Sequence, residues 1–141
     1  MNQNKYEDLV ERIEELKTLS NEVPIIVEGK KDEKALRSLG VEGEIFRISS
    51  GMSLYEFCEG ISDRYSEVIL LTDLDGEGER LARKLKNYLI HKGVKIYETF
   101  RKDILNKLET HEVESINTRL MKVKEQKDFN RGLEDIDGIF W

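Results

Sequence analysis

The stretch Val68-Ile69-Leu70-Leu71-Thr72-Asp73-Leu74-Asp75-Gly76-Glu77-Gly78-Glu79 decides how this chain is read. Its first half is a continuous apolar run, the pattern of a strand covered on both faces in a parallel sheet. Its second half breaks at two aspartates and a glycine. A helical pattern then opens at about Glu77 and runs to Ile90, with Leu81, Leu85, Tyr88 and Leu89 on one stripe. The local unit is therefore strand, acidic turn, helix.

The same unit occurs upstream. The apolar run 23–27 ends at Glu28-Gly29, and Pro24 is tolerable because it sits at the start of the strand. A helix over 31–39 follows, with Ala35, Leu36 and Leu39 inward and Gly40 as its stop. Between the two units, 44–48 reads as a strand and Ser49-Ser50-Gly51 as a turn. Ser53 and Glu56 have capping-box spacing for a helix through about Ile61, with Leu54, Tyr55, Phe57, Cys58 and Ile61 inward. Downstream, 94–98 reads as a fourth strand, followed by helices near 101–109 and 112–126. Val113, Ile116, Leu120 and Val123 stripe the last of these. An acidic tail then ends in Ile139-Phe140-Trp141, an apolar terminus suited to docking on its own domain or on a second protomer. At the other end, Tyr6, Leu9, Val10, Ile13 and Leu16 share one face of a helix over 5–20 that adds to the core. The alternation predicts an α/β domain with a four-stranded, mostly parallel sheet and right-handed crossovers. In such sheets the functional crevice lies beyond the carboxyl ends of the strands.

Composition narrows the classes. The chain has 141 residues, room for one ordinary domain. It carries 23 Lys and Arg against 29 Asp and Glu, a net charge of −6. That balance argues against a protein that coats DNA through an excess of cations, although it leaves room for a local basic patch. Apolar runs of about five residues fall far short of the ~20 that span a bilayer. The polar, acidic N-terminus predicts no secretory leader. One cysteine, Cys58, excludes an internal disulfide framework and a cysteine-rich zinc site, and a cytoplasmic location is the default expectation. His91 and His111 are isolated and have no zinc spacing.

Chemistry concentrates at the two acidic turns. Glu28 ends the first strand; Asp73 ends the third, with Asp75 two residues on. If those strands are neighbours, the three carboxylates converge on one sheet edge. Like charges that close disfavour ionisation, and a hard divalent cation offsets the repulsion. Mg²⁺ as one or two ions, with Mn²⁺ able to substitute, fits oxygen ligands and phosphate substrates. Glu77 adds a fourth acid, which also suits a helix N-terminus. Lys30, Lys31, Lys34 and Arg37 follow the first turn; Arg80, Arg83, Lys84 and Lys86 follow the second. Lys30 and Arg80, nearest the acids, are the best candidates to hold a phosphate or nucleic-acid backbone; solvated faces with intrahelical ion pairs are the alternative.

At these residues a resemblance enters. Glu28-Gly29-Lys30-Lys31-Asp32 after one strand, and Asp73-Leu74-Asp75-Gly76-Glu77-Gly78-Glu79 after another, resemble the two motifs of the Toprim domain of topoisomerases, primases and certain nucleases. The second is most similar to the topoisomerase form, and the whole chain is similar to small stand-alone archaeal primase-like Toprim proteins. The resemblance implies a three-layer, Rossmann-like domain over 23–98, with a helical extension over 1–22 and another with a tail over 99–141. It implies that Glu28 is a general acid/base or metal ligand, and that Asp73, Asp75 and Glu77 are metal positions. It does not supply a reaction, since the chain is too short for the further domains of topoisomerases or primases. Two function classes stay open: a Mg²⁺-dependent nuclease or nucleotidyl transferase acting on DNA or RNA, and a non-catalytic metal-dependent module in a replication or RNA-processing complex. The run 70–76 also resembles the Asp-x-Asp-Gly start of haloacid-dehalogenase phosphatases, but Glu77 follows it and the motif lies on the third strand.

Overall fold

The computed structural model describes the backbone of residues 3–140 and the side chains of residues 5–132. Elements follow in the order α1 (Gln3–Ser20), β1 (Ile25–Val27), α2 (Lys30–Ser38), β2 (Ile45–Arg47), α3 (Leu54–Arg64), β3 (Glu67–Leu70) and α4 (Gly76–His91). Then come β4 (Lys95–Tyr97), α5 (Thr99–Lys107), a 3₁₀ turn (Val113–Ser115) and α6 (Ile116–Phe140).

The four strands form one all-parallel sheet in the order β2-β1-β3-β4. The central strands β1 and β3 pair directly, Ile25 with Ile69 and Ile26 with Leu70, and the ladder continues where Leu71 N–H donates to Ile26 O. Alternation along these strands feeds two apolar layers. Ile25, Val27, Ile69 and Leu71 face the layer built with Leu9, Leu16, Leu36, Ile104 and Leu105 from α1, α2 and α5. Ile26, Val68 and Leu70 face Phe57, Ile61, Leu85 and Leu89 from α3 and α4. Both faces are covered, which explains the unbroken apolar runs in the sequence.

Helix ends follow their residues. Ser53 caps α3 by accepting from Glu56 N–H (3.1 Å). Gly40 takes φ +99° just past α2, a left-handed position that glycine adopts without strain. Arg12 ties α1 to α5: its guanidinium lies 3.8 Å from the Phe100 ring centroid, bonds Thr99 Oγ1 (2.9 Å) and pairs with Asp103 (3.0 Å).

Three local readings need correction. Tyr55 and Tyr88 are surface residues, packed edge to face at 6.0 Å on the α3–α4 flank. The stripe α4 turns inward is Gly78, Ala82, Leu85 and Leu89. The expected tail is helix: α6 runs to Phe140. Beyond the stripe that ends at Val123, Phe129, Leu133, Ile136 and Phe140 keep steps of three and four in the sequence, a helical signal that the expected boundary near 126 passed over. The side chains of Ile139, Phe140 and Trp141 lie outside the described residues.

Candidate functional site

The pairing of β1 with β3 brings the two acidic turns side by side at the carboxyl edge of the sheet. The β3–α4 turn is braced throughout. Asp75 caps α4, its Oδ1 accepting from Gly78 N–H (2.7 Å). Asp73 Oδ1 accepts from Val113 N–H (2.8 Å), a donor from the 3₁₀ turn. Thr72 Oγ1 donates to Gly78 O (3.1 Å). Beneath the turn lies Arg101, 1% exposed, whose guanidinium donates to Thr72 O (2.7 Å), Asp73 O (2.7 Å) and Glu79 Oε1 (2.8 Å). Leu74 N–H donates to His111 O (2.8 Å). Gly78 is required sterically, because a methyl group there would drive into the Asp73 carbonyl. Gly76 has open space around it, and neither Gly29 nor Gly76 takes a positive φ, so the sharp turns do not depend on them.

The β1–α2 turn is different. Asp32, 7% exposed, folds back so that its Oδ2 accepts from Gly29 N–H (3.0 Å) at the start of α2. Glu28 has no backbone donor of this kind: its Oε1 is buried and makes no hydrogen bond, and its carboxyl meets the Asp73 side chain. Burial first, and then the adjacent Asp73 carboxylate, push the Glu28 carboxyl up to about 7, with smaller contributions from Asp75 and Asp32. Burial also raises Asp32, opposed by the Gly29 N–H and reinforced by Asp73 and Glu114.

Thus Glu28, Asp73 and Asp75 share one electrostatic neighbourhood, and Asp32 joins them although it was not singled out in the sequence. Among the described residues no three acidic side chains are already drawn around a single point. Two oxygens of the set, Asp73 Oδ1 and Asp75 Oδ1, are engaged by backbone N–H groups. Glu77 stands apart: it is exposed and holds Arg80 in a two-point ion pair (2.6 and 3.1 Å). The same pair draws Arg80 along the surface of α4. Lys30 is exposed on the first turn of α2 and makes no ion pair among the described residues. Arg101, Gly78 and the Val113 N–H are the residues that sequence reading missed. An arginine in a polar helix looks solvated, and a backbone donor has no side-chain signature.

A half-buried carboxyl with one buried, unbonded oxygen, sharing a proton with the carboxylate beside it, is an arrangement that a cation can take over by replacing that proton. The donor set fits a hard divalent ion. Mg²⁺ commonly takes one or two carboxylates and fills the rest of its shell with water and phosphate oxygens. Cys58 is no rival centre: burial, with a smaller contribution from Glu59, pushes its thiol to about 11, and the protonated form is inert.

Residues 23–102 match the family model of the Toprim domain. The chain is 42% identical over 99 residues to a UPF0292 protein of Methanocaldococcus jannaschii, covering 70% of this chain and 77% of that one. It is 37% identical over 139 residues to a UPF0292 protein of Thermococcus onnurineus, covering 99% and 86%. A solved structure of a putative protein from Aquifex aeolicus superposes with a TM-score of 0.67 at 36% identity, covering 76% of this chain and 96% of that one. No helix among the described residues is long and apolar enough to cross a membrane.

Proposed function

This chain belongs to the Toprim domain family, and on that premise we propose that it holds Mg²⁺ at Glu28 and Asp73 and acts on phosphodiester bonds of nucleic acid, as a nuclease or nucleotidyl transferase. The observation that carries the reading is the buried, unbonded Glu28 Oε1 beside the Asp73 carboxylate. A bound Mg²⁺ would supply charge stabilisation to a phosphoryl group and bring a water close to it.

The protein's own groups have distinct parts. Asp73 is held in place by the Val113 N–H through Oδ1, and its side chain also meets the Glu28 carboxyl, the contact a cation would replace. Asp75 contributes charge while it caps α4. Glu28, holding its proton up to about pH 7, is suited to general acid/base work at the sheet edge. Arg101 positions the Asp73 backbone from below and does not face the crevice.

Calorimetric titration with Mg²⁺ and Mn²⁺ tests the site. Wild type is expected to bind, and Glu28→Gln and Asp73→Asn to lose at least tenfold in affinity. Unchanged affinity in both variants would overturn the assignment. A panel of labelled DNA and RNA substrates, incubated with and without the metal, tests the reaction. A second reading, a non-catalytic metal-dependent module in a replication or RNA-processing complex, is favoured by the engagement of Asp73 and Asp75 in structural hydrogen bonds. Metal binding without turnover on the whole panel would select it.

A further inference from the structure

The chain is acidic overall, yet one groove runs against that charge. It is an open cleft of about 740 Å³ between α2 and the start of α6. Lys31 and Lys34 line one wall; Arg119 and Lys122 line the other, and Glu114 is the acid among its lining residues. Four cations against one anion is a concentrated positive patch in a chain of net charge −6. Lys31, Lys34 and Lys122 make no ion pair among the described residues. On the α4 side, Arg80, Lys86 and Lys92 are paired with Glu77, Glu98 and Glu59, while Arg83 and Lys84 are exposed cations that line no cleft with the groove's charge.

The groove is built, and it leads to the acids. Asn117 Nδ2 donates to Ala35 O (2.9 Å) and clamps α6 onto α2. Arg119 is fixed by Leu108 O (3.1 Å), so its guanidinium is held in the wall. The upper end of the groove opens where α2 starts, two residues after Glu28, and where Val113 N–H grips Asp73. Thr118 adds a hydroxyl to the wall, whereas Ser38 and Ser115 donate theirs to Lys34 O and Glu112 Oε2. Lysines and hydroxyls in a shallow cleft make contacts to phosphate oxygens, which position a strand without reading its bases. One wall lies at 114–122, outside the matched family region 23–102, so the groove is a feature of this chain's C-terminal segment.

We propose that the α2–α6 groove is the track for a nucleic-acid backbone entering the Glu28–Asp73 site, with Lys31, Lys34 and Lys122 as its phosphate contacts. This rests on the nucleic-acid reading above and gives it a direction: the strand arrives over the C-terminal segment. Recognition is of the phosphodiester chain, so it is indifferent to sequence and strongly dependent on salt.

The experiment measures anisotropy of fluorescein-labelled dT20 and U20 at several salt concentrations, with Mn²⁺ titration of the same samples. Each phosphate contact on a single strand adds about 0.7 to the salt slope. Lys34→Ala/Lys122→Ala is therefore expected to lower the slope by about 1.4 and to weaken binding about 15-fold at physiological salt. Lys102→Ala/Lys124→Ala changes the net charge equally, and neither residue lines the groove. That control is expected to retain wild-type affinity and slope. Equal losses in both double variants, or no loss in the groove variant, would overturn the proposal. Absence of oligonucleotide binding by wild type would also overturn it. Mn²⁺ affinity separates the two readings: groove variants are expected to keep it, whereas failure of the metal site abolishes it in every sample.

Discussion

The two turns at the sheet edge are built on opposite principles. After β3, the protein's own donors satisfy the turn: Val113 N–H on Asp73, Gly78 N–H on Asp75, and Arg101 under two carbonyls. After β1, Asp32 caps Gly29, but Glu28 is left with one buried, unbonded oxygen and another carboxyl, Asp73, as its neighbour. One turn is finished by folding and the other awaits something further. The contrast teaches that a charged site needs a fixed anion and a responsive one. Burial first, and then the field of the braced Asp73, make the Glu28 carboxyl hold its proton to about pH 7.

The comparison breaks most sharply if the braced turn is disturbed. Gly78→Ala would force a methyl group into the Asp73 carbonyl, so a loss of more than about 3 kcal/mol is expected. Chemical denaturation should show it, and wild-type stability would mean that the turn is softer than described. Arg101→Met removes three hydrogen bonds from a buried cation and leaves two carbonyls without a donor. A loss of about 3 kcal/mol is expected, seen as a fall of ~10 °C in melting temperature.

The responsive turn is probed by pH. The folded-state pKa of Glu28, about 7, lies above its ordinary value of 4.5. The native state therefore binds more protons than the unfolded chain in that window. Stability is fully present below the lower value and is lost as pH rises through the upper one. Metal-free protein should melt progressively lower from about pH 5 to about pH 8, and Glu28→Gln should flatten that slope. A wild-type slope in the variant would assign the effect to other groups.

Asp75 sharpens the comparison, because it belongs to both principles. Asp75→Asn retains an acceptor for Gly78 N–H and should melt like wild type, with metal affinity down about tenfold. Asp75→Ala should lose about 1 kcal/mol as well, the worth of the cap. Smallest of all is Glu77→Gln. Its exposed partner Arg80 is the whole of its interaction, so neither melting temperature nor metal affinity should change measurably. A large fall in metal affinity would bring Glu77 into the site.

Much of this was legible before any coordinates. The apolar runs before Glu28 and Asp73 gave both central strands, since full coverage of a parallel sheet leaves no polar alternation to blur them. The acids at strand ends placed Glu28, Asp73 and Asp75 at one sheet edge, and the three are neighbours there. What did not show are interactions whose partners lie far apart. Asp73 and Val113 are 40 residues apart, and Lys34 and Lys122 meet only because Asn117 clamps their helices together. Gly78 looked no different from Gly76, because the difference lies in the neighbouring carbonyl. The last turns of α6 did carry a period, Phe129, Leu133, Ile136 and Phe140 at helical spacing, but Gly132 and Gly138 and the acidic residues among them read as a tail.

The direct pairing of β1 with β3 has a consequence for how this architecture can be modified. Between Glu28 and Asp73 the chain makes a long excursion through α2, β2 and α3, yet the spacing of the two acids is set across a single ladder. Length can be added to the exposed turn at 50–52 without moving either acid. Deleting one residue inside β3 would turn Asp73 to the opposite face of the sheet and abolish the site at once. Grafting a foreign module into this protein is therefore a question of where to cut: the outer turn is permissive, and the central ladder admits no change in length.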